Sequence, residues 1–138
     1  MKKYFVSYEQ SLDLKEIGYV DYSWFGSECS LYKPNGEHTF YMNGIGDETY
    51  ISAPLKSQVF EWFRKEHKLR ANVMDFIDDI TGIEWDYEIA TIGTDLDESG
   101  NYIPLVDYSI DDEMRKFKTY EEAESACIDK LIELVKKK

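Results

Sequence analysis

From Ile83 to Ile89 apolar and acidic residues alternate without a break. Ile83, Trp85, Tyr87 and Ile89 fall on one side, Glu84, Asp86 and Glu88 on the other. This period of two predicts a β-strand with one aromatic face and one ladder of carboxylates. Leu69–Phe76 ahead of it is a second candidate strand. The run "YIPLVDYSI" beyond it is the natural pairing partner, with Pro104 placing it at an edge or a bulge.

Elsewhere the period lengthens to that of a helix. "SYEQ" at Ser7–Gln10 is a capping box, Leu12, Leu14 and Ile17 are the apolar positions behind it, and Gly18 is a stop. "ISAPLKSQVFEWFRKEHKL" carries Leu55, Val59, Trp62 and Phe63 at helical spacing, with Pro54 suited to the first helical position. His67 and Lys68 then suit the negative end of that helix. "TYEEAESACIDKLIELVKKK" opens on Thr119 and Glu122 as a second capping box. Its stripe runs through Ala123, Cys127, Leu131 and Leu134, widened by Ile128 and Val135, and predicts packing on a sheet. Between the first two helices, "CSLY" and "HTFYM" flank "KPNGE", whose Asn-Gly pair predicts a hairpin. The order helix, strands, helix, strands, helix points to an α+β fold, an antiparallel sheet covered by about three helices.

Composition adds bounds to this picture. A chain of 138 residues predicts one domain, 1–138, able to bury its own core. No apolar run approaches the roughly 20 residues of a membrane span, so no membrane partner is expected. "MKKYFVSYEQ" has no apolar core behind its lysines, which predicts mature protein at the N-terminus and a cytoplasmic location. Cys29 and Cys127 lie far apart and read as buried thiols. With only His38 and His67 beside them, no zinc-ligand spacing occurs and no cofactor is expected.

Charge changes the picture most. The net charge is −12, and residues 71–114 contain no Lys, Arg or His but 13 of the 28 acids. The 15 acids elsewhere face all 16 basic residues, so one segment carries the imbalance. Direct binding to nucleic acid is disfavoured, because a phosphate backbone calls for a basic footprint. A basic protein, including one that itself binds nucleic acid in the host, is the partner such a segment suits. The candidate contact residues are Glu84, Asp86, Glu88 and Asp107 with the neighbouring Tyr87, Tyr102 and Tyr108, since tyrosine buries much area at little rotamer cost. The competing account is that the acids solubilise and the tyrosines complete the core.

The stretch "DLDESGNY" raises a metal question. Asp95, Asp97, Ser99 and Gly100 match the first half of a calcium loop, but the twelfth position falls on Val106, which cannot ligate. A hairpin turn over Glu98-Ser99-Gly100-Asn101 accounts for the same residues. An active site finds less support, because abundant carboxylates come without a nucleophile motif or a convergent basic partner.

Three segments, "SYEQSLDLKEIGY", "ISAPLKSQVFEWFRKEHKL" and "FKTYEEAESACIDKLIELVKKK", resemble a family of small uncharacterised proteins encoded by phages, prophages and other mobile elements of gut bacteria. The resemblance covers both ends and the central helix and thins over 71–114. It implies a shared fold and an accessory or host-interaction role. No activity is established for the family, so it assigns no site residues.

Overall fold

Ser7 and Gln10 close the first capping box in both directions, side chain to backbone each way, and start helix α1, Tyr8–Glu16. Two orphan amides at the helix start are thereby satisfied, which holds a helix too short to persist alone. The computed structural model describes residues 4–19, 28–42, 50–91, 98–100 and 116–137. These form an α+β fold in the order helix, strands, helix, strands, helix. They fall into two compact units, dividing between Val59 and Phe60.

In the first unit, strands β1 (Glu28–Tyr32) and β2 (His38–Met42) make the hairpin expected around "KPNGE". Lys33 N–H donates to the Glu37 carbonyl at its neck, and the Asn35 side chain accepts from the Glu37 amide. The short β3 (Ile51–Ser52) adds to the other side of β1, giving the order β2-β1-β3. The Tyr32 hydroxyl is buried and donates to the Val6 carbonyl, and burial pushes its pKa above the usual phenol value.

Helix α2 runs over Lys56–His67 and starts later than Pro54. The residues before it are already engaged: the Pro54 carbonyl accepts from Val6, and Leu55 forms an antiparallel bridge with Phe5. Leu55 therefore stands at the cap, where the Gln58 side chain accepts its N–H at 3.0 Å.

The second unit contains the long hairpin β4 (Leu69–Asp78) and β5 (Gly82–Thr91), paired along their whole length from Leu69↔Thr91 to Asp78↔Gly82. Helix α3, Tyr120–Lys136, packs against both strands. Its buried residues are Ala123, Cys127, Ile128, Leu131 and Ile132, and Leu134 and Val135 are half-buried. Thr119 accepts the Glu122 amide as a cap should, but the Glu122 carboxylate reaches back to Lys118 N–H, one residue before the cap. β5 pairs with β4, while "YIPLVDYSI", the expected partner, lies outside the described residues.

Gly82 closes the β4–β5 turn at φ +88°, in the left-handed region. A Cβ there would meet nothing within 4 Å, so the conformation alone opposes substitution. Gly82→Ala is expected to cost about 1 kcal/mol in urea unfolding, the usual penalty for an L-residue in that region. A neutral result would show that the turn relaxes.

Candidate functional site

Residues opposite one another in an antiparallel pair share a face, so the β4–β5 register sorts the hairpin into two surfaces. One face carries Leu69, Ala71, Val73, Asp75 and Ile77 opposite Thr91, Ile89, Tyr87, Trp85 and Ile83. The other carries Arg70, Asn72, Met74, Phe76 and Asp78 opposite Ala90, Glu88, Asp86, Glu84 and Gly82. Glu84, Asp86 and Glu88 thus share one face, as the alternation predicts.

Their exposure departs from the expected open ladder. Glu84 is fully buried, Asp86 is buried, and only Glu88 is half-exposed. Phe117 explains part of this. It exchanges two backbone hydrogen bonds of 2.9 Å with Trp85 along the outer edge of β5. In such a bridge the flanking Lys116 and Lys118 turn to the carboxylate face. Lys118 Nζ donates to Glu84 Oε1 at 2.8 Å and Lys116 Nζ to Asp78 Oδ2 at 2.7 Å. Asp78 Oδ1 also accepts from the amides of Ile80 and Thr81, holding the turn. These contacts, the lysine first in each case, hold both carboxyls below their usual pKa. The Thr81 hydroxyl adds to the lowering at Glu84, but Oε2 of Glu84 has no hydrogen-bond partner among the described residues. Glu88 accepts from the Asn72 side chain at 3.0 Å, and Asp86 accepts from the Tyr87 amide at 2.7 Å.

Tyr87 belongs to the opposite face, where it is buried and stacked on Phe117 at 6.1 Å. Tyr102, Asp107, Tyr108, Asp95 and Asp97 lie outside the described residues. Ser99 is exposed in a turn over 98–100, and Gly100 has φ +84°, in the left-handed region that favours glycine. Among the described residues no group of three or more His, Cys, Asp and Glu is placed to hold a metal.

The two histidines have aromatic surroundings. His38 packs on Phe5 at 4.7 Å and Phe40 at 4.8 Å and shares a hydrogen bond with the Ser30 hydroxyl. His67 lies 4.7 Å from the Trp62 ring at the end of α2. Cys127 is buried in the α3 stripe, as expected of a core thiol. Among the described residues no helix is long and apolar enough to cross a membrane.

No family model matches this chain, and neither does any curated protein or solved structure. Its chemistry is therefore read from the hairpin itself. Two features of that hairpin go beyond the alternation pattern: the lysines at 116 and 118, and three exposed isoleucines at the tip, Ile77, Ile80 and Ile83. The run "DDITG" at 78–82, with acids, Thr and Gly together, is a turn signal that locates the tip but says nothing of the lysines.

Proposed function

We propose that this is a phage-type accessory protein, without enzymatic activity, that binds a basic protein partner through its acidic segment. A partner that itself binds nucleic acid has the required surface. The observation that carries this reading is local: Asp75, Asp78, Asp79, Glu84, Asp86 and Glu88 all sit on one hairpin, in a segment of sequence with no basic residue. Lys116 and Lys118 answer Asp78 and Glu84. Asp75 and Asp79 are exposed, and Glu88 meets a neutral amide. The resemblance to phage and prophage proteins supports an accessory role over a metabolic one.

The test uses a synthetic Lys/Arg peptide and fluorescence anisotropy. Affinity is expected to fall roughly tenfold or more between low and physiological salt, as exposed charges become screened. Asp75→Lys/Asp79→Lys/Glu88→Lys reverses accessible charges while leaving the buried Glu84 and Asp86 in place, and it should abolish the binding. Binding insensitive to salt, or unchanged in that variant, defeats the reading.

A further inference from the structure

Isoleucine is among the residues most often buried, yet Ile77, Ile80 and Ile83 are 81%, 93% and 62% exposed. Single exposed apolar side chains are ordinary, whereas adjoining ones mark interaction sites. These three adjoin. Ile77 and Ile83 are direct cross-strand partners on the face opposite the carboxylates, and Ile80 sits in the turn between them. The next pair on that face is Asp75↔Trp85, and the half-exposed Trp85 meets Tyr120 edge-on at 5.5 Å. Tyr120 is itself 41% exposed. An apolar strip therefore runs from the turn down to the first residue of α3.

We infer that this strip, with Ile77, Ile80 and Ile83 at its tip, is the anchor of the proposed contact, inserting into an apolar cleft with a basic rim on the partner protein. The inference rests on the basic-partner reading and moves the centre of the contact to the other face of the hairpin. Charge complementarity selects the occupant. The strip is bordered by Asp75 and Asp79, both exposed, and by Glu121, whereas Lys116 and Lys118 are engaged on the carboxylate face. A second copy would set acid against acid on a chain of net charge −12, and an anionic membrane would repel the same rim. The tip is also small beside the roughly 800 Å² per partner of a standard interface. That suits a convex plug in a cleft, where a few central side chains carry most of the energy.

Two synthetic peptides of equal positive charge test this, one alternating Leu with Lys/Arg and one with every Leu replaced by Ser. The protein is expected to bind the leucine peptide at least about tenfold more tightly, because apolar anchors dominate such contacts. Ile77→Ser/Ile80→Ser/Ile83→Ser should erase that preference while keeping the weaker binding to the serine peptide. Ile80→Ser alone, in the turn, should reduce the preference without touching a strand position, which covers the case of a triple variant that misfolds. A preference retained in the variants overturns the inference. Equal binding of both peptides removes the anchor and leaves the basic-partner reading standing, and binding of neither removes both. Self-association in sedimentation, or binding to neutral vesicles, that Ile80→Ser abolishes assigns the strip to another occupant and also overturns it.

Discussion

Leu131→Ala is expected to destabilise the protein by about 2–5 kcal/mol, the range for truncating a buried leucine. Leu131 is fully buried on the α3 stripe beside Cys127, Ile128 and Ile132. Its neighbours sit on two packed elements, a helix and a paired hairpin, so the site can collapse only partly around the cavity. Urea unfolding should show a lower midpoint with an unchanged slope. Ile80→Ala is the contrast, since it removes as large an apolar group from a residue 93% exposed. It should stay within about 0.5 kcal/mol of the parent. If the two costs were equal, the helix would not be what buries the hairpin.

The second large effect is at Glu84. Glu84→Lys places a cation in a buried position beside Lys118, where the native carboxylate accepts at 2.8 Å. Loss of the cooperative unfolding transition is expected, because a buried charge without an opposite partner is among the most damaging changes. Glu88→Lys, half-exposed four residues on, should fold normally. Acid titration probes the same contacts. The Glu84 and Asp78 carboxyls are held below their ordinary values of 4.5 and 3.8, so between those values and the lowered ones the unfolded chain binds more protons. The stability they contribute is present above the ordinary values and is lost as pH falls through the lowered ones. Lys116 is shifted upward by Asp78, so its contribution is present below its ordinary 10.5 and lost only as pH rises through the higher folded value. Lys116→Met/Lys118→Met should flatten the acid limb of a midpoint-against-pH curve. An unaltered limb would mean that other carboxyls govern acid unfolding.

Much of the fold was legible because local rules and tertiary packing agree. Ser7 with Gln10, Asn35-Gly36 and the α3 stripe each act where the sequence places them. Pro54 is the exception, and its cause is nonlocal: Phe5 and Val6 hold residues 54 and 55 outside the helix. The site was half legible. Strict alternation establishes that the two faces of β5 differ, but not which face is covered or how far along the strand the cover extends. Hence Glu84, expected outside, is buried, and Ile83, on the same face as Trp85, is exposed near the turn. Lys116 and Lys118 reach their carboxylates across more than thirty residues of sequence. Such a pairing leaves no trace in any local window.

The position of α3 in the sequence has a consequence for synthesis. The hairpin emerges from the ribosome well before the helix that packs against it, so its aromatic face meets water first. A bare two-stranded ribbon with Val, Ile and Trp on one side invites pairing with other nascent chains. The intervening sequence up to 114 adds acids and no base, so neighbouring chains at this stage repel one another. Acids placed beside an uncovered strand in this way oppose association of unfinished chains, whatever the finished protein binds.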